Sequence, residues 1–313
     1  MSHTLGDTKS TGLHHVTAIS GEARRNRDFY TRILGLRLVK KTVNFDDPGT
    51  YHLYFGDADG APGTILTFFP WANAAPGRAG AGETGETAFR VPKAAIGFWL
   101  ARFVQASVDH EGPTTRFGRP VVTFRDPDGM RLALVGVEGA ENEPAWAVEG
   151  IDPADAIRGF ESVTLEVGGI EGTAAVLTEV LGFTETAREA GRVRFEGTAS
   201  VGAAVELVES AAARPRLGAG SVHHVAFRAA SDADQAAMAE RLAAMGLPAT
   251  EQKDRNYFRS IYFREPGGVL FEIATDEPGF AADEPAESLG ESLKLPAFLE
   301  PQRARIEAVL PPL

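Results

Sequence analysis

The spacing of apolar positions along the chain switches repeatedly between strand-like alternation and helical periodicity. Leu13-His14-His15-Val16-Thr17 is short and alternating, which predicts a strand. Ser20 then leads into a helical stretch carrying Phe29, Ile33 and Leu34, which stops at Gly35. The same phrase returns late in the chain. Val222-His223-His224-Val225-Ala226-Phe227 predicts a strand, Ser231 a helix N-cap, Met238, Leu242 and Met245 a helical face, and Gly246 its stop. A third copy runs from Ser162-Val163-Thr164 through Val176, Val180 and Leu181 to Gly182. A fourth, more degenerate, starts near Glu86-Thr87-Ala88-Phe89 and continues into Ile96, Trp99, Leu100 and Phe103.

The units also close alike. A Pro/Gly turn precedes the last strand at Ala61-Pro62-Gly63, at Asp126-Pro127-Asp128-Gly129 and at Glu265-Pro266-Gly267-Gly268. The third unit lacks the proline but ends in Ala203-Ala204-Val205-Glu206-Leu207. The repeats predict an α+β protein of four βαβββ modules in two domains, residues 1–145 and 155–280, each holding two modules. Residues 136–153, rich in Gly, Glu and Pro, read as the linker. From Asp276 the chain turns acidic and proline-punctuated, which predicts a tail over 281–313 with a short helix near Arg303–Val309.

Composition narrows the chemistry. The 313 residues are 43% hydrophobic and 24% charged, enough for a core that needs no metal to fold. A metal would therefore serve chemistry. The formal charge of −12 disfavours nucleic acid and anionic membranes as partners. Residues 1–12 hold no signal-like apolar run, and no stretch approaches the roughly 20 apolar residues of a membrane helix, so a cytoplasmic protein is expected. With no cysteine, thiolate metal sites and iron–sulfur clusters are excluded. Any metal must be held by nitrogen and oxygen.

Four βαβββ units, with His-Val-Thr in one first strand, His-His-Val-Ala-Phe in another and Glu265-Pro-Gly-Gly-Val-Leu-Phe-Glu-Ile closing the last, resemble the vicinal oxygen chelate superfamily. Within it, Gly49-Thr-Tyr-His-Leu-Tyr-Phe-Gly-Asp and Pro62-Gly-Thr-Ile-Leu-Thr-Phe-Phe-Pro are similar to the hydroquinone-type ring-cleaving dioxygenases. The likeness covers roughly residues 12–310. It implies half-barrel sheets enclosing a metal site, with modules one and four paired, and an extradiol-type reaction on a hydroquinone-type aromatic with O2.

The residues themselves point the same way. At the first-strand position the four units carry His15, Glu86, Ser162 and His224; at the last-strand position we align Phe68, Ala133, Glu206 and Glu272. Units one and four together supply two imidazoles and a carboxylate, and Glu272 stands in an apolar strand where an unpaired charge would be expensive. Two His and one carboxylate with open positions form the triad of non-haem Fe(II) oxygenases; Mn(II) is the alternative. Phe68, at the fourth position, cannot coordinate. Neighbours on a strand face opposite ways, so one histidine of each doublet is expected to ligate, and the sequence does not choose which.

The resemblance chooses His15 and His224, and implies that His14 and His223 stand beside them. It also nominates Tyr262 as the group that hydrogen-bonds the substrate and Arg255 as the cation that steadies developing negative charge. His52 reads as strand packing, His3 and His110 as tail and loop residues, and Phe68, Phe69 and Trp71 either as walls of an aromatic pocket or, chiefly, as core. Two other functions fit the superfamily: a glyoxalase-like isomerase or lyase using nickel, zinc or manganese, and a metal-free binder of aromatic toxins. The expected partners are a small aromatic substrate, O2 and a second copy of the chain in a homodimer.

Overall fold

The computed structural model describes residues 9–313; His3 lies outside them. All four modules form. Module one comprises β1 (Leu13–Ser20), α1 (Ala23–Asp28), β2 (Arg37–Asn44), β3 (Asp47–Gly56) and β4 (Ile65–Pro70). Module two comprises β5 (Glu83–Pro92), α2 (Ile96–Gln105), β6 (His110–Arg116), β7 (Arg119–Arg125) and β8 (Arg131–Val137). Module three comprises β9 (Phe160–Val167), α3 (Ile170–Ala175), β10 (Thr184–Glu189), β11 (Arg192–Glu196) and β12 (Ala204–Glu209). Module four comprises β13 (Val222–Ala229), α4 (Asp232–Ala244), β14 (Lys253–Asp254), β15 (Arg259–Arg264) and β16 (Leu270–Thr275). The expected stops Gly35, Gly182 and Gly246 take φ of 72°, 73° and 74°, the left-handed conformation that a Cβ opposes. In module two Ser107 bears the same conformation at φ 54°, so that copy has no glycine stop.

The modules pair as first with last and second with third. One eight-stranded sheet runs β14-β15-β16-β13-β1-β4-β3-β2, the other β10-β11-β12-β9-β5-β8-β7-β6, and each curls into a half-barrel. Inside a module the first strand lies parallel to the last, and the two modules of a sheet meet through antiparallel first strands, β1 with β13 and β5 with β9. Alternation sends one face of each strand into a continuous core, where Leu13, Phe29, Tyr30 and Phe68 join Trp99, Phe160, Phe227 and Phe271. The opposite face lines the cup. Its residues decide the chemistry.

The C-terminal segment occupies part of the first cup. Phe280 and Leu289 pack against Tyr54, Ile65, Ala226 and Ala274. Lys40, fully buried on β2, pairs with Asp283 and Glu284, each at 2.6 Å, and stands 4.8 Å from the centre of the Tyr257 ring. A final helix, α5 (Arg303–Val309), sets Ile306 against Val43, Leu295 and Leu299. Among the described residues no helix is long and apolar enough to cross a membrane.

Candidate metal centre

His15, His224 and Glu272 converge at the seam between modules one and four. Their strand neighbours set the register: His15 lies opposite Ala226, and Ala226 lies beside Glu272. His15 Nε2 is 3.3 Å from His224 Nε2 and 3.3 Å from Glu272 Oε2, and His224 Nε2 is 2.9 Å from the same oxygen. All three side chains are nearly or wholly buried. Donors cis to one another and about 2.1 Å from an ion lie about 3 Å apart, so the spacing fits three sites on one face of a metal. Among the described residues this is the group of three histidine and carboxylate donors close enough to share an ion.

The carboxylate is prepared for that role. Ser260 Oγ donates to Glu272 Oε1 at 2.5 Å, while Oε2 receives no well-directed hydrogen bond although it is buried. Burial opposes ionisation of Glu272, but His15 and His224 outweigh it and hold its carboxyl well below the usual range. Burial also lowers the pKa of His224. A neutral imidazole has the lone pair that a metal needs. The donor set therefore fits a resident divalent cation.

Both doublets stand on β-bulges, which departs from the strict alternation expected of a strand. Between Leu13 and His15 the strand β1 takes two steps while β13 takes one, so His14 is the extra residue; between Thr17 and Ala18 the extra residue is His223 on β13. A bulge re-aims the side chain, and both rings of each doublet come together. His14 Nδ1 lies 2.9 Å from His15 Nδ1, and His223 Nδ1 lies 2.8 Å from His224 Nδ1. His14 and His223 thus fix the ring orientation of their neighbours from the nitrogen that does not face Glu272. Burial depresses both, His223 to about 4. His223 also faces the cavity, whereas His14 sits behind, against Phe258.

A cavity opens on the triad, with about 690 Å³ between its walls, mouth included. Phe45, Phe69, Trp71 and Phe258 supply aromatic walls, and Asn44 and Asp46 stand on the hairpin between β2 and β3. Tyr262, opposite Glu272 in the register, and Arg255 both line it. Arg255 Nε donates to Tyr262 Oη at 3.2 Å, and burial pushes the Tyr262 hydroxyl well above its ordinary pKa.

Four expectations change. Phe68 lies in the core 4.6 Å from Tyr30, ring centre to ring centre, and does not hold the fourth position. Register gives that position to Thr67: Thr67 pairs with Thr17 two residues after His15, as Glu272 pairs with Ala226 two residues after His224. Phe69 and Trp71 line the cavity instead of the core. His52 is also a cavity residue, its Nε2 2.8 Å from Thr67 Oγ1 and its Nδ1 2.8 Å from Tyr54 Oη. His110 opens β6 and does not lie in a loop, with its Nδ1 2.8 Å from the Val108 carbonyl oxygen. Tyr54, Thr67, Phe258 and Ser260 also belong to the site; Thr67 lies one residue before Phe68, and no local motif marks the other three.

The second sheet repeats the geometry without the chemistry. Its bulge residues are Gly85 and Glu161, at the places of His14 and His223. Glu206, at the place of Glu272, accepts from Arg192 and Arg194 at 3.0 Å each, and Arg116 reaches Glu86 at 2.5 Å. Guanidinium groups fill the space that an ion would need.

With fold and site in hand, comparison with known proteins defines the class. The sequence profile of the Glyoxalase/Bleomycin resistance protein/Dioxygenase superfamily matches residues 12–134 and 159–273, and the chain belongs to that superfamily. It is 46% identical over 304 residues to the Bacillus subtilis protein named "Putative ring-cleaving dioxygenase MhqO", covering 97% of each chain. It is 33% identical over 297 residues to a chlorohydroquinone/hydroquinone 1,2-dioxygenase of Sphingobium indicum, covering 92% of each. The crystal structure of a Bacillus subtilis protein described as a "putative dioxygenase" superimposes with a TM-score of 0.94 at 46% identity, covering 98% of each chain.

Proposed function

We propose that the protein is a ring-cleaving dioxygenase of extradiol type that holds Fe(II) through His15, His224 and Glu272 and opens a hydroquinone-type ring with O2. The observation that carries this reading is the three-donor set facing an aromatic cavity, with a threonine where a fourth ligand would stand. Three ligands leave places for substrate oxygen and O2. Bound there, iron(II) would join two partners that react slowly without it by binding both and passing charge between them. Mn(II) suits the same nitrogen and oxygen donors.

The side chains around the triad do the rest. Phe69, Trp71 and Phe258 present flat faces to a ring and exclude water from it. Tyr262, held by Arg255, stands beside Glu272, where it hydrogen-bonds the substrate hydroxyl as its proton is lost. Arg255 steadies the negative charge that develops on that oxygen. His223 faces the cavity, and because its Nδ1 accepts from His224 Nδ1, its Nε2–H is left as a hydrogen-bond donor toward the substrate. Similarity to the Sphingobium enzyme supports the hydroquinone class. The test is anaerobic loading with Fe(II) followed by oxygen-electrode measurements with hydroquinones and catechols. Oxygen uptake matched to ring-opened product is expected; isomerisation of a thiohemiacetal without oxygen uptake would replace this reading.

A further inference from the structure

Modules one and four carry matching polar arrays, in register, on the wall of the same cup. Thr67 is the twin of Glu272. One strand further out, Tyr54 pairs with Thr67 as Tyr262 pairs with Glu272. Two residues earlier on the same face, His52 corresponds to Ser260. The contacts repeat too: His52 Nε2 lies 2.8 Å from Thr67 Oγ1, as Ser260 Oγ lies 2.5 Å from Glu272 Oε1. Tyr262 works beside the ligands in module four. Tyr54 faces the cavity from the opposite module, where no ligand carboxylate stands.

We propose that Tyr54, positioned by His52, accepts a hydrogen bond from the second hydroxyl of the ring, para to the one at the metal, and so selects 1,4-diols over 1,2-diols. The proposal rests on the ring-cleaving reading and names what its cavity recognises.

The hydrogen-bond chain gives Tyr54 a defined polarity. The Thr67 hydroxyl donates to Thr17 Oγ1 at 2.9 Å, so His52 donates from Nε2 to Thr67 and accepts at Nδ1 from the Tyr54 hydroxyl. That leaves the Tyr54 oxygen as an acceptor toward the cavity. Burial raises the Tyr54 pKa and lowers that of His52, which keeps both neutral and the chain in this order. His52 is clamped between two rings, with centroids 4.1 Å from Tyr54 and 4.2 Å from Phe69. A hydroxyl at the far end of a ring donates to such an acceptor. A 1,2-diol puts both hydroxyls at the metal end and leaves the buried Tyr54 oxygen without a donor, an imperfect match worth about tenfold in affinity.

The experiment measures calorimetric binding of phenol, hydroquinone and catechol to anaerobic, Fe(II)-loaded protein, with oxygen uptake measured alongside. Wild type, Tyr54→Phe and His52→Asn are compared after their thermal unfolding shows that each is folded. Hydroquinone is expected to bind wild type about tenfold more tightly than phenol. Tyr54→Phe should erase that gap by weakening hydroquinone without weakening phenol or catechol, and His52→Asn should narrow it. No gap in wild type, a gap that survives Tyr54→Phe, or an equal loss for phenol would each overturn the proposal. If wild type takes up no oxygen with any diol but shows a gap that Tyr54→Phe erases, the dioxygenase reading falls and the Tyr54 assignment stands. If it cleaves hydroquinone and the variant keeps the gap, the assignment falls alone.

Discussion

Ser260 holds one oxygen of Glu272 and leaves the other for the two imidazoles. A partner of this kind orients a ligand, and its removal typically lowers metal affinity about 10–100-fold. Ser260→Ala should therefore weaken iron binding by that order in an anaerobic titration against a competing chelator. An affinity equal to that of wild type would show that the carboxylate is oriented by something else.

Glu272→Ala removes the carboxylate of the proposed three-donor set. Iron content after reconstitution should fall to background, and turnover should drop at least about a hundredfold. The fold should survive, because the two cups share a core that does not depend on the ion. Metal analysis beside circular dichroism checks both halves; full activity in this variant would remove Glu272 from the site.

Lys40 is a different kind of buried charge. It is fully buried between Asp283 and Glu284 and ties the C-terminal segment to β2. Lys40→Ala leaves two carboxylates without their cation, and breaking a buried pair costs about 3–5 kcal/mol. Urea unfolding should show that loss, and Lys40→Met combined with Glu284→Gln should recover part of it. A loss below about 1 kcal/mol, the scale of a surface pair, would contradict the assignment.

Asp126 gives a pH signature away from the metal. Burial raises its pKa to about 6, although the Met130 and Asp128 backbone N–H groups and the Tyr30 hydroxyl donate to it. The unfolded carboxyl titrates near 3.9, so between about pH 4 and pH 6 the folded protein binds more protons than the unfolded chain. Stability contributed by this group is therefore greatest below pH 4 and falls as pH rises to 6, by an order of 2–3 kcal/mol. Asp126→Asn should flatten that slope. Urea midpoints compared at pH 4 and pH 7 decide it, and parallel slopes in both proteins would reject the assignment.

Much of this molecule was legible in its sequence because four modules repeat one pattern. The glycine stops, the Ser231 cap and the first-with-last pairing follow from residues that obey local rules: left-handed φ at glycine, a hydroxyl before a helix, and two imidazoles plus one carboxylate needing a common home. The exceptions share one cause. Alternation assigns faces only while strands stay in step, and the bulges at His14 and His223 put neighbouring rings on one site. In module one, spacing along the sequence does not separate Thr67 from Phe68, one residue apart and on opposite faces of β4. His52 and Tyr54 carry no local signature, because only the register across β3 and β4 reveals them as counterparts of Ser260 and Tyr262.

The pairing of β1 with β13 has a temporal meaning. His15 and His224 are 209 positions apart, and Glu272 follows later still. A chain leaving the ribosome displays its first imidazole long before its partners exist, and no partial set can grip a divalent ion firmly. Assembly of the three-donor set is thereby deferred until the last module has been made and has paired with the first.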